Sequence, residues 1–411
     1  MKSQGGGLVS GLVLPHLVLL GGLLSSTANG ALLYAWSVFV KPLQAEFGWS
    51  RADLAFAFSL GVFVLSFASL ISGRLMGRLS PRLLVALGAL LMGAGFAAAG
   101  FTSSRGWLYL FYSGVACFGG GLMYIPPIAL APRWWPHRRV MATGVVVMGL
   151  GLGSFLMAPL ATWMIENPSL GWRYVFWVVG SLMGLFGLIS SALMVSPPVG
   201  YVPSGVKLPP VDPSRGLSHG ETVRRPLFWA LYLAFFCGAF GGLMCLSFIA
   251  AVGREAGLPP MVAAMAVSVY GVSNALSRPL VGMLADRIGL KRAFLSTFGP
   301  QVLCMASFPH LASSAPLFLL ISLLLGWNFG SMFSLFPGST AYFFGLRAQA
   351  ANYGLLFTAF GVAGLFGPYF GGRTADLMGS YSYSFYGASL VVLLGLVLLT
   401  FIFWRGREVT N

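Results

Sequence analysis

Arg278 stands inside an apolar stretch, in the segment SNALSRPLVGMLADRIG, eight residues before the acid Asp286 at the end of that stretch. A guanidinium is planar and permanently charged, and its paired N–H donors match a carboxylate through two parallel hydrogen bonds. In hydrocarbon it costs at least about 2.5–3.5 kcal/mol, so it requires a water-filled cavity, a partner or a functional reason. All nine Asp and Glu lie in connectors or at the ends of apolar stretches. Arg278 therefore has no evident counter-ion, and an anionic substrate would fill that role. The structural alternative is snorkelling or structural pairing; eight helical residues span about 12 Å, and arginine covers part of that. Asn274 lies four residues earlier, on the same helix face, and either orients the guanidinium or bridges to a neighbouring helix. Pro279 adds a kink that opens space beside the arginine.

Other reactive types are poorly arranged for chemistry. Cys117, Cys237, Cys245 and Cys304 sit in apolar segments without metal-ligand spacing. His16, His137, His219 and His310 fall near segment ends or in a connector. No nucleophile with a base and no paired carboxylates occur within the apolar stretches, which argues against an enzyme and against a cofactor. Gly149, Gly151 and Gly153 with Pro159, and Gly361, Gly364 and Gly367 with Pro368, read as close-packing helix faces rather than a nucleotide loop. Glu46, Asp53, Glu255 and Asp376 are candidates for surface gate contacts with Lys41, Arg51, Arg254 or Arg373.

The elements that must position Arg278 follow from composition. The chain has 411 residues, 57% hydrophobic and only 8% charged, against roughly 25% charged in a soluble domain. Lipid must be the solvent for much of this surface. Twelve apolar runs fall at about 13–40, 52–75, 82–101, 106–131, 140–163, 171–195, 226–252, 260–285, 291–310, 314–341, 348–372 and 382–404, each near the length of roughly 20 residues that a membrane helix needs. The fold class is an all-α membrane protein of two pseudo-symmetric six-helix bundles, over residues 1–195 and 226–411. Residues 196–225 are rich in Pro, Gly and Ser and read as a flexible linker.

A net charge of +15 invites a nucleic-acid reading, but the basic residues sit in short connectors. Of the 24 Lys and Arg, six (Lys41, Arg51, Arg105, Arg173, Arg254, Arg373) fall in connectors on one side and Arg278 lies within a run; the other 17 share the side of both termini and the linker. That asymmetry puts the termini in the cytoplasm of a cell-membrane protein and excludes a nucleic-acid stripe. A repeat supports the two halves. Gly73-Arg-Leu-Met-Gly-Arg78 matches Gly282-Met-Leu-Ala-Asp-Arg287 at an offset of 209, which Pro159 and Pro368 share. Duplicated halves around a midplane site are a transporter pattern.

GMLADRIGLKR, from Gly282 through Asp286 and Arg287 to Arg292, resembles the loop motif of the major facilitator superfamily. The first-half copy GRLMGRLSPR keeps Arg78 and Arg82 but has Gly77 where the acid usually stands. More narrowly, YAWSVFVKPLQAEFGWSRADL, PRWWPHRRVMATG, SNALSRPLVGMLADRIG, SLFPGSTAYFFG and NYG are similar to the branch of monocarboxylate transporters and the oxalate–formate antiporter. The resemblance implies secondary transport of a small monocarboxylate, with Arg278 binding its carboxylate and a proton or counter-anion as co-substrate. It also implies pocket positions at Tyr34, Tyr124, Phe329, Phe333, Phe357 and Phe360. Animal monocarboxylate transporters have an aspartate where Asn274 stands and a lysine at Tyr34, so both titratable partners of proton coupling are neutral here. The oxalate antiporter's second cation falls on Phe360. One cationic clamp facing an apolar wall suits a lactate- or pyruvate-like anion better than a dianion. An oxalate–formate type of exchange is the alternative. Drug efflux ranks lower, because it calls for an embedded carboxylate.

Overall fold

In the computed structural model, residues 5–34, 36–167, 169–198, 200–203 and 216–405 are described. Twelve long helices account for most of them. α1 is Gly5–Tyr34, continued by a short helix Ser37–Phe47; α2 is Arg51–Leu75, α3 Pro81–Ala99, α4 Arg105–Trp134, α5 Arg139–Glu166 and α6 Trp172–Leu193. α7 is Pro226–Glu255, α8 Pro260–Ile288, α9 Leu290–Leu311, α10 Ala315–Phe344, α11 Gln349–Met378 and α12 Tyr381–Arg405. Among the described residues, eleven of these are long and apolar enough to cross a membrane. α9 falls outside that set because Lys291, Arg292, Gln301 and His310 dilute a 22-residue helix, yet it packs within its bundle like the others.

Local sequence explains where the helices start. Ser50 Oγ accepts a hydrogen bond from the Asp53 amide and the Asp53 carboxylate accepts one from the Ser50 amide, a capping box that opens α2. Ser80 caps α3 ahead of Pro81, and proline also opens α7 and α8, where its missing N–H costs nothing. Within α4, residues Tyr109–Ala116 wind as a π-helix. There Ser113 donates to the Ala57 carbonyl (2.7 Å) and Tyr112 to that of Leu32 (3.3 Å), tying the irregular turns to α2 and α1.

The two halves repeat one packing scheme. α1 lies on α5 as α7 lies on α11; α2 on α4 as α8 on α10; α3 on α6 as α9 on α12. The halves meet along two seams, α2 against α11 and α5 against α8. Both are tightest at the end that carries the termini. A Cβ on Gly73 would strike the backbone of Ala350, one on Gly144 that of Arg278, and one on Gly282 that of Val140 and Met141. Only glycine permits backbones to approach so closely inside a membrane bundle. Towards the other end, Gly61, Gly367 and Gly371 touch only their own half, and Gly271 touches nothing. The structure is thus closed from the termini end to mid-depth.

The loop motif separates into engaged and free residues. Gly282 packs on the start of α5, and the Asp286 carboxylate accepts hydrogen bonds from the amides of Val140 (3.1 Å) and Met141 (2.9 Å). An anion on orphan first-turn amides is favourable. Arg287, Arg292 and Arg78 are exposed and take no part in that contact. Gly77, at the equivalent place in the first half, is exposed and cannot cap α11. The linker's end does some of that work instead. Leu217 N–H donates to the Phe344 carbonyl (2.9 Å), and Asn352 in the first turn of α11 bonds His219 (3.0 Å) and Thr222 (3.1 Å) of a short helix His219–Val223. The expectation of a flexible linker therefore fails for 216–223, which dock on the second half; residues 204–215 lie outside the described part.

The expected gate pairs are also corrected. Glu46 pairs with Arg173 (2.7 Å) and Asp53 with Arg105 (3.0 Å), not with Lys41; the Arg51 side chain lies outside the described residues. Both pairs stay within the first half. Glu255 accepts a bond from the Tyr381 amide instead of meeting a cation.

Candidate functional site

α8 carries Arg278 on the face turned to α5 and α10, and the side chain is fully buried. One guanidinium nitrogen, Nη1, donates across the seam to the Val147 carbonyl of α5, and Nη2 donates to Asn274 Oδ1 at 2.7 Å. The Phe333 ring of α10 lies under the cation at 4.7 Å, a cation–π contact. Ser334 donates to the arginine's own carbonyl (2.7 Å), fixing α10 on α8. Nε meets no acceptor, and no carboxylate pairs with Arg278 among the described residues. The charge is thus desolvated and only partly satisfied, an arrangement that gains most from an arriving anion. Snorkelling is ruled out, because the side chain is held by neighbours at mid-depth rather than reaching an end.

An aromatic wall continues from Phe333. Its ring meets Phe360 edge-on at 5.3 Å; Phe360 stacks on Phe357 at 5.2 Å; Phe357 lies 4.6 Å from Tyr124 of α4. These four rings, with Asn29, Leu33, Leu65 and Leu150, line a small cavity between the halves that admits about one water molecule. Its lining is mostly apolar. Four helices of the first half (α1, α2, α4, α5) and two of the second (α10, α11) contribute to it.

Of the expected site residues, Arg278, Asn274, Phe333, Phe357, Phe360 and Tyr124 come together here. Phe329 does not line the cavity; it stands behind Phe333, ring centroids 5.5 Å apart, in a slot that Gly242 leaves open. Tyr34 ends α1, and its side chain lies outside the described residues.

Two residues of the site escaped the sequence reading. Tyr353 is fully buried below Phe357 (5.9 Å), with its hydroxyl facing that of Tyr124 and within electrostatic reach of Arg278. In the sequence its NYG segment carries only the family resemblance. Asn29 of α1 lines the cavity and is fully buried. Its signal was the polar cluster SSTAN within an apolar run.

A two-half bundle with a partly satisfied arginine at its seam is a transporter architecture, and the family comparison agrees. The model of the Major Facilitator Superfamily matches residues 18–314 and 244–410. The chain belongs to that superfamily. It is therefore a multi-pass membrane protein of a transporter family and not an enzyme. Among its relatives, the oxalate:formate antiporter of Oxalobacter formigenes is 28% identical over 378 residues, covering 92% of this chain and 88% of that protein. Monocarboxylate transporter 13 of Rattus norvegicus is 27% identical over 388 residues, 92% and 86% of the two chains. The solved superfamily transporter FucP, in its outward conformation, superposes with a TM-score of 0.70 at 14% identity, covering 96% of this chain and 99% of that one. That likeness speaks for the superfamily fold alone.

Proposed function

We propose that this protein is a secondary active transporter of a small monocarboxylate, lactate- or pyruvate-like, in which Arg278 clamps the carboxylate. The observation that carries the reading is the buried guanidinium with a free Nε and no acid partner among the described residues, set against a phenylalanine wall. The two relatives, whose names concern oxalate, formate and monocarboxylates, support small organic anions as the cargo class. Asn274 positions the guanidinium, Tyr124 supplies a hydroxyl to the bound anion, and Phe333, Phe357 and Phe360 hold its apolar body. Phe329 buttresses that wall, and Tyr34, whose side chain lies outside the described residues, is a further pocket residue by the resemblance. Gly282 and Asp286 latch α8 to α5, while Arg287, Arg292 and Arg78 act in other stages of the cycle. Residues 1–195 and 226–411 rock as two bodies joined by the linker 196–225, with both termini cytoplasmic in a cell membrane. In that orientation the seams are closed towards the cytoplasm.

Moving an anion against the membrane potential costs about 2.3 kcal/mol per charge per 100 mV, so accumulation needs a co-transported proton or a counter-anion. Proton symport is the primary reading. Exchange is the second, favoured by the absence of an acid in the helix interiors around Arg278. Uptake of labelled lactate and oxalate into proteoliposomes separates them. Symport predicts lactate uptake that rises when the outside is acidified and alkalinises the medium. Exchange predicts uptake only into anion-preloaded vesicles. Uptake of oxalate but not lactate contradicts the monocarboxylate reading.

A further inference from the structure

Asn29 is the one amide in the cavity wall, and its two ends are in different situations. Nδ2 donates to the Ser25 carbonyl one turn earlier at 3.2 Å. Oδ1 is buried and meets no hydrogen-bond donor among the described residues. Gly120 of α4 leaves the room that this oxygen occupies, since a Cβ there would collide with it. The orientation is fixed by chemistry. Flipping the amide would aim Oδ1 at the Ser25 carbonyl, acceptor against acceptor, and lose the one bond the side chain makes among the described residues.

A buried acceptor without a donor costs free energy that an incoming O–H would recover. Arg278 and Asn29 are linked through Phe333, whose ring lies under the guanidinium and also lines the cavity. Asn29 thus lines the cavity with its bare Oδ1 seated beside Gly120, and the donor group of Arg278 lies behind the Phe333 wall. A keto acid brings only an acceptor to that Oδ1. A hydroxy acid brings a donor.

We propose that Asn29 is a specificity-determining residue whose Oδ1 accepts the hydroxyl of a 2-hydroxy monocarboxylate, so that the carrier prefers hydroxy acids to keto acids and unsubstituted acids. This rests on the carboxylate reading of Arg278 and names the substrate class of that same site. The cavity admits about one water in the closed state, so the walls part to take the acid in and the hydroxyl contact forms as they close.

The test is a comparison of KM values for lactate, pyruvate, propionate and 2-fluoropropionate in proteoliposomes. Fluorine matches the size of the hydroxyl but cannot donate. The wild type is expected to take lactate with a KM about tenfold below those of the other three. Asn29→Ala should shrink that ratio to about twofold, with an unchanged melting temperature reporting that the variant is folded. If the wild type treats lactate and 2-fluoropropionate alike, Oδ1 serves only a water and the proposal is overturned. That ligand comparison needs no variant. Equal loss for all four acids in Asn29→Ala assigns the residue a structural role and also overturns it. A wild type that takes none of the four acids brings down the carboxylate reading itself, and this proposal with it.

Discussion

On the proposed reading, Phe360 sets, at the scale of single residues, how many charges the pocket tolerates. It stacks on Phe357 and meets Phe333, the ring under the arginine, so a cation placed there would lie across the cavity from the clamp. The second carboxylate of a dianion now faces a phenyl ring and stays uncompensated in a low dielectric. Phe360→Lys should therefore admit oxalate and weaken lactate by about tenfold, read as competition against labelled lactate. Unchanged preference in that variant would mean that the wall does not select charge. Arg278 was legible in the sequence, because an arginine in an apolar run is costly enough to announce itself, whereas Tyr124, Phe333, Phe357 and Phe360 came only through the family resemblance. Tyr353 and Asn29 were legible by neither route. Their importance comes from which neighbours fail to satisfy them, and that is a property of packing between halves rather than of spacing along the chain. Phe329, a pocket position implied by the resemblance, fills the slot at Gly242 and does not line the cavity, which spacing along the chain does not show.

Elements set the conformational state. The seam between α5 and α8 is held at one end by the Asp286 carboxylate on two first-turn amides, charge-assisted bonds worth more than neutral ones. Asp286→Ala removes both and should shift the population towards opening at the termini end by about 1–2 kcal/mol, roughly 5–30-fold. Maleimide labelling of a cysteine at Ser69, buried beside α11, reads this directly. Labelling that does not accelerate in Asp286→Ala would deny the latch its role. The twelve helices were legible from run length alone, including α9, whose polar residues weaken its membrane signal. The π-helical turns of α4 were not, since they arise from tertiary bonds to α1 and α2. Nor was the docked linker end, which owes its place to Asn352 and a backbone bond at Phe344 rather than to apolar pattern.

At the scale of the whole molecule, two halves with one packing scheme carry unequal equipment. The second half holds the intact motif acid and the membrane arginine. The first supplies Asn29, Tyr124 and the Val147 carbonyl that the arginine borrows. On the proposed clamp reading, a carboxylate arriving at Arg278 competes with that carbonyl, so substrate binding and the tie between the halves share one group. The repeat at an offset of 209 predicted the scaffold, and the departures from it mark the site. The most direct test of the arginine clamp is equilibrium binding of lactate to purified wild type and to Arg278→Lys. Lysine keeps the charge and loses the fork. The account predicts an unchanged melting temperature and at least about a tenfold loss of affinity in the variant; wild-type affinity for lactate in a folded Arg278→Lys would contradict it.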